Sequence, residues 1–161
     1  MKLEGSCACG DVMFVVESQT PYPYRYCYCK RCRKTQGGIG AQVSVLAVAD
    51  TLVIQGREHI SVFEIKSAPE PNAPATDISL HFCKGCGSHL FMTQALWPDD
   101  VYLSASAVDT PLPIPPEIYH VNVGEAAAWI NVPAGAGHIH FEELERESPI
   151  EWHRRHGLCG V

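Results

Sequence analysis

Cys27-Tyr28-Cys29-Lys30-Arg31-Cys32 decides how this chain is read, with Cys7-Ala8-Cys9 before it and Cys83-Lys84-Gly85-Cys86 after it. Seven of the eight cysteines fall in these three clusters, and Cys159 alone stands apart. Thiols one or two residues apart are badly placed to bridge each other but well placed to grip one ion, because thiolates surround Zn²⁺ as a tetrahedron at about 2.3 Å. A closed structural site takes four of the seven. Three then remain, and three protein ligands with an open fourth position is the arrangement that lets zinc do chemistry.

The competing explanation for so many cysteines is a disulfide framework, and compartment separates the two. Met1-Lys2-Leu3-Glu4-Gly5-Ser6 carries an acid and small polar residues where a signal peptide would have its apolar stretch. A cytoplasmic location is therefore expected, where clustered cysteines are metal ligands or redox dithiols. The 161 residues match the common size of one domain, and 46% hydrophobic content is enough to fill a core. No apolar run approaches a membrane span, so no membrane partner is expected. The formal charge of −6 opposes binding along a phosphate backbone, so no nucleic-acid partner is expected either. Lys30, Arg31, Arg33 and Lys34 nevertheless put four cations around Cys32. Such a run serves either as a solvated loop or as a field that favours thiolate and attracts a small anion.

Between the clusters the chain reads as short strands. Val12, Phe14 and Val16 alternate with Asp11, Met13 and Val15, and β-rich runs follow at Ala41 to Val48, His59 to Ile65, Thr76 to Phe82, His89 to Met92 and Val101 to Ala107. Phe141-Glu142-Glu143-Leu144-Glu145-Arg146 is the best helical segment, short and near the C-terminus. Pro69 to Pro74 and Pro111 to Pro116 are loops, since proline cannot donate to a ladder and restrains the residue before it. The expected fold is a single, mainly β domain over residues 1–161, mostly antiparallel, with metal near its strand ends.

Spacing gives the clusters geometric content. Residues i and i+2 of a strand point the same way, so Cys7 and Cys9 present two sulfurs to one side. In Cys83-Lys84-Gly85-Cys86-Gly87 two glycines let the backbone turn tightly, so that both sulfurs face one ion. Joining that knuckle to Cys7 and Cys9 closes a loop of about seventy residues, a large entropic constraint on the unfolded chain. A rival partition remains open on spacing alone: Cys29 and Cys32 paired with Cys83 and Cys86 as a two-knuckle ribbon across about fifty residues, leaving Cys7, Cys9 and Cys27 over.

Gly5-Ser6-Cys7-Ala8-Cys9-Gly10, the run Cys27 to Lys34 with Gly37 after it, and Phe82-Cys83-Lys84-Gly85-Cys86-Gly87-Ser88-His89-Leu90 together resemble the glutathione-dependent formaldehyde-activating enzyme family, which includes centromere protein V. Tyr119-His120-Val121 and Ala128-Trp129-Ile130 resemble the family's closing strands. The resemblance implies a β-tent of antiparallel sheets and two zinc ions per chain: a structural one on Cys7, Cys9, Cys83 and Cys86, and a catalytic one on Cys27, Cys29 and Cys32. It implies carbon–sulfur lyase-type chemistry, with glutathione and formaldehyde as the thiol and aldehyde and S-hydroxymethylglutathione as the product. Arg31, Arg33 and Lys34, with Lys30, would then hold the carboxylates of the thiol, a task that suits the arginine fork. The chain departs from the family's pattern at Ser67 to Asp77, acidic and proline-rich where a short basic approach is usual, and at Asn131-Val132-Pro133-Ala134-Gly135.

Several other residues have plain readings. His89 is expected as a hydrogen-bonded structural histidine, His138 and His140 as a surface pair, His153 and His156 as part of an exposed tail, and Cys159 as a spare thiol. Trp97-Pro98-Asp99-Asp100 reads as a turn packed by an aromatic. Gly37-Gly38-Ile39-Gly40 lacks the Lys-Ser/Thr of a phosphate loop and suggests a close backbone approach instead. Two other functions fit the same cysteines: a zinc module that binds a protein and catalyses nothing, and a thiol redox protein.

Overall fold

Short alternating strands dominate the computed structural model, which describes residues 1–19, 22–36, 38–66, 77–145, 147 and 149–158. In chain order the elements are β1 (Lys2–Ser6), β2 (Met13–Glu17), β3 (Tyr24–Cys27), α1 (Lys30–Gln36), β4 (Gln42–Val48), β5 (Val53–Gln55), β6 (Ile60–Ile65), β7 (Ile78–Cys83), β8 (His89–Gln94), β9 (Trp97–Ser104), β10 (Ile118–Val121), β11 (His138–His140) and α2 (Pro149–Arg155). The mainly β expectation holds. Two compact units result, Met1–Gln19 with Leu46–Leu112 and Thr20–Val45 with Pro113–Val161.

In the first unit, alternation in β2 buries Val12, Phe14 and Val16 to 2% exposure or less, while Met13 stays half exposed. Antiparallel pairing sets Leu3 of β1 against Val16 and Gly5 against Phe14, and β2 pairs in turn with β5. Gly5 is required by space: a Cβ there would lie 2.2 Å from the Phe14 ring and 2.3 Å from the Ala107 carbonyl oxygen. The same unit holds an antiparallel meander in the order β6-β7-β8-β9. Leu80, Leu90, Phe91, Val101, Tyr102 and Leu103 are among its buried side chains. β9 begins at Trp97, so the expected turn lies one step earlier, at Ala95 and Leu96, and Trp97 is an exposed strand residue.

The second unit orders its strands β11-β10-β3-β4, with β3 antiparallel to β4 but parallel to β10, and β10 parallel to β11. Its apolar cluster is Tyr119, Val121 and Trp152, joined by Tyr22, Cys27 and Phe141. Three expectations are corrected here. Phe141 to Glu145 is not helical, because the carbonyls of Phe141, Glu142 and Glu143 accept hydrogen bonds from Val123, Gly124 and Asn122. Ala128-Trp129-Ile130 is a turn, closed by the Ile130 amide on the Ala127 carbonyl, and not a strand. The expected exposed tail is α2: Trp152 is fully buried, its indole N–H donates to Glu117 Oε2 at 2.9 Å, and His153 is 4% exposed with Nε2 on the Tyr22 carbonyl. Residues 67–76 and Cys159 lie outside the described residues. No helix among the described residues is long and apolar enough to cross a membrane.

Replacing Gly5 by alanine forces a methyl into the space held by Phe14 and the Ala107 carbonyl, an overpacking cost of about 2–3 kcal/mol. A urea unfolding midpoint lowered to match, at unchanged slope, is the expected result.

Candidate metal centres

The cysteines gather into two groups: Cys7, Cys9, Cys83 and Cys86 in the first unit, and Cys27, Cys29 and Cys32 in the second, the ligand atoms of each lying within 4.8 Å of one another. The two-knuckle pairing of Cys29 and Cys32 with Cys83 and Cys86 is not what forms.

In the first group the chain turns directly after β1. The Cys7 amide donates to the Val12 carbonyl at 2.9 Å and the Gly10 amide returns to the Cys7 carbonyl at 3.1 Å, with Gly10 left-handed at φ 80°. This turn brings Cys7 Sγ to 3.4 Å from Cys9 Sγ, and the Val12 amide donates to the Cys7 sulfur at 3.3 Å. The second knuckle ends β7. Gly87 donates to the Cys83 carbonyl at 2.8 Å, Cys83 donates to the Ser88 carbonyl at 2.9 Å, and Cys9 Sγ lies 3.6 Å from Cys83 Sγ. Ser88 joins both knuckles, its hydroxyl accepting the Ala8 amide at 3.0 Å and contacting Cys86 Sγ at 3.2 Å.

Donor chemistry provides the test of fit. Four sulfurs at 2.3 Å around one ion lie about 3.8 Å apart, close to the separations found. Ser88, first through its hydroxyl and then through its amide, brings Cys86 down to about 5. The Asp11 amide draws Cys9 down, yet Cys7, burial and Cys86 outweigh it and hold the Cys9 thiol above its usual range. Crowded sulfurs that compete for protons are relieved by one cation that replaces them. Cys7 and Cys83 are buried while Cys9 and Cys86 are exposed, a closed half-buried site.

The second group sits where β3 runs into α1. Cys27 is the last residue of β3, and Cys29 directly precedes the helix, where its sulfur accepts the Cys32 amide at 3.4 Å and its carbonyl accepts the Arg33 amide at 3.0 Å. Cys29 thus occupies the position that serine or aspartate takes at a helix start. The next amide, Lys30, is capped by Glu125 Oε2 at 3.1 Å. The Cys27 and Cys32 thiols together hold Cys29 down to about 2, while Cys27 and then Cys29 push Cys32 up. Three sulfurs, one already thiolate in character, fit a soft divalent ion with one position open.

Support for this group comes from residues that spacing did not flag. Asn122, left-handed at φ 55° after β10, donates its side-chain amide to Cys27 Sγ at 3.3 Å. Asparagine tolerates that conformation, the signal that could have singled it out. Tyr28, between two of the cysteines, is buried, and its hydroxyl meets His120 Nδ1 at 2.8 Å. Burial pushes Tyr28 up to about 12 and, with His140 and His138, holds His120 down to about 4. Tyr28 therefore donates to a neutral imidazole, whose Nε2–H is left to donate to His138 Nδ1 at 2.8 Å. The surface-pair expectation fails for His138, which ends this chain, whereas His140 donates from Nε2 to the Pro133 carbonyl at 2.8 Å. His89 is partly buried, with both ring nitrogens covered and unpartnered, contrary to the hydrogen-bonded role expected, and burial followed by His81 brings it down to about 4. Gly40 does make a close approach, since a Cβ there would lie 2.3 Å from the Ile130 side chain.

Lys30, Arg31 and Lys34 are exposed on α1 and Arg33 is partly covered. Among the described residues none of the four has an ion-pair partner, so their charge is free to act on a ligand beside Cys32.

A family model described as glutathione-dependent formaldehyde-activating enzyme matches residues 2–124, a span that contains all seven clustered cysteines. A Halomonas elongata protein whose name carries the same family description is 41% identical over 160 residues, covering 98% of each chain. The crystal structure of a Rhodobacter sphaeroides protein superposes with a TM-score of 0.54 over 68% of this chain and 91% of that one, at 20% identity, a likeness of fold alone.

Replacing Asn122 by alanine removes the donor to Cys27 and strains the left-handed backbone, whereas glycine removes only the donor. Guanidinium unfolding is expected to find Asn122→Ala less stable than Asn122→Gly by about 1–2 kcal/mol.

Proposed function

Because the chain belongs to the glutathione-dependent formaldehyde-activating enzyme family, we propose that it adds a small thiol of the glutathione kind to formaldehyde or a similar aldehyde. The centre is a zinc site of Cys27, Cys29 and Cys32, and Cys7, Cys9, Cys83 and Cys86 hold a second, structural zinc. The observation that carries this reading is three sulfurs grouped at the start of a helix whose four cations have no acid partner among the described residues. A zinc ion bound there supplies Lewis acidity, making thiolate available at neutral pH or polarising the aldehyde oxygen.

The protein's own groups prepare that chemistry. The Cys32 amide fixes the Cys29 sulfur, the Asn122 amide fixes the Cys27 sulfur, and Tyr28 anchors the intervening residue. Such contacts orient ligands and tune their basicity. Arg31, Arg33, Lys30 and Lys34 bind the carboxylates of the thiol substrate, with the arginines able to do so bidentately. In the reaction the S–H adds across the C=O: the sulfur–carbon bond forms, the π pair moves to oxygen, and the thiol proton ends there as a hydroxyl. Run in reverse, the same step cleaves a carbon–sulfur bond, the basis for a lyase assignment.

Wild-type protein is expected to bind two equivalents of zinc and to accelerate S-hydroxymethylglutathione formation, followed by NMR with ¹³C-formaldehyde. Cys32→Ser should lose one equivalent and the activity while keeping the fold, and Cys83→Ser should lose thermal stability, since metal binding there is folding free energy. Retention of both equivalents in Cys32→Ser overturns the assignment. Removing one charge-assisted contact in Arg33→Ala should raise KM for glutathione by about 10–100-fold.

A further inference from the structure

Gln42 opens β4 directly opposite Cys27 in the antiparallel register with β3. Directly paired residues project to the same face with Cβ atoms about 5 Å apart. The register therefore sets the Gln42 side chain on the same face as that of Cys27, with Val121 on the other side through the β3–β10 pairing. Gln42 is only 3% exposed, and its Nε2 is buried without a hydrogen-bond partner. A second carboxamide behaves alike. Gln36 lies four residues after Cys32 and so on the same helical face, and both its amide atoms are buried and unpartnered.

More than nine in ten buried polar groups in folded proteins are satisfied, so an orphaned donor beside a ligand cluster calls for a partner that arrives with substrate. The nature of that partner follows from size and charge. Carboxylates are large, hydrated and served by the exposed cations of α1, whereas a buried neutral N–H suits a small oxygen. The position beside Cys27 favours an atom at the reacting centre. Of the substrate atoms there, the aldehyde oxygen is the one that gathers negative charge as sulfur attacks carbon.

We infer that Gln42 is a further substrate-binding residue: its side-chain N–H donates to the aldehyde oxygen as that oxygen becomes the hydroxyl of the thiol adduct. The inference rests on the thiol–aldehyde reading of the Cys27, Cys29 and Cys32 site. Gln42 supplies a hydrogen bond and no proton, so the balance of the addition is unchanged. A leucine at position 42 keeps the volume and removes the orphaned amide.

The test compares wild type with Gln42→Leu and Gln42→Asn, each zinc-loaded. Gln42→Leu should keep its zinc content and its KM for glutathione, unfold at the same temperature or higher, and lose about 10–100-fold in kcat/KM for formaldehyde. Binding provides a readout independent of turnover. By calorimetry, wild type should prefer S-hydroxymethylglutathione to the isosteric S-ethylglutathione, and Gln42→Leu should lose that preference, with Gln42→Asn partly retaining it. Unchanged kcat/KM and an unchanged preference in Gln42→Leu would overturn the role of Gln42, as would loss of zinc or of thermal stability together with the activity. Wild type that forms no adduct would overturn the underlying reading instead.

Discussion

Three or four cysteine sulfurs held within 4.8 Å of one another make a poor arrangement for thiols and a worse one for thiolates, because charge is crowded into a small volume with too few donors to balance it. The chain accepts this crowding twice, and most of the surrounding backbone is explained by it. Turns after β1 and β7 bend so that Cys7, Cys9, Cys83 and Cys86 converge, and Ser88 hydrogen-bonds to both turns at once. The junction of β3 with α1 bends so that Cys27, Cys29 and Cys32 converge. A divalent ion at each place would turn local repulsion into attraction.

The second junction is also a study in how a strand divides labour between its faces. Arg25 and Cys27 lie on one face of β3 and Tyr26 lies on the other, where its ring sits 5.3 Å from His120. Tyr28 continues that second face beyond the strand, stacked 5.7 Å from His120. The Cys27 side is thus backed by a hydrogen-bonded chain through Tyr28, His120 and His138. Charge lies on the Cys27 side, with Arg25, and on the helix that follows.

Period-two alternation made the β class legible in the sequence, while cysteine spacing left two partitions open and the family resemblance pointed to the grouping that forms. The helices were less so, for physical reasons. Lys30 to Gln36 has no apolar stripe to reveal its period, because its folding depends on Cys29 and Cys32 at its start and on the Glu125 cap. The Phe141 segment does have helical composition, but its carbonyls are taken by Asn122, Val123 and Gly124 in the tertiary fold. Trp152 and His153 gave no local sign that their partners, Glu117 and the Tyr22 carbonyl, lie far away in sequence. Asn122 and Gln42 gave no sign for a related reason: the first follows β10 and reaches Cys27 by a side-chain hydrogen bond, the second pairs with Cys27 across β3 and β4, and spacing along one strand encodes neither.

Cys29 belongs to the sulfur group and begins α1 with the same side chain and backbone. A seven-residue helix is too short to persist by itself in water. A metal ion on these sulfurs would therefore also hold the start of the helix, and with it the placement of its four cations.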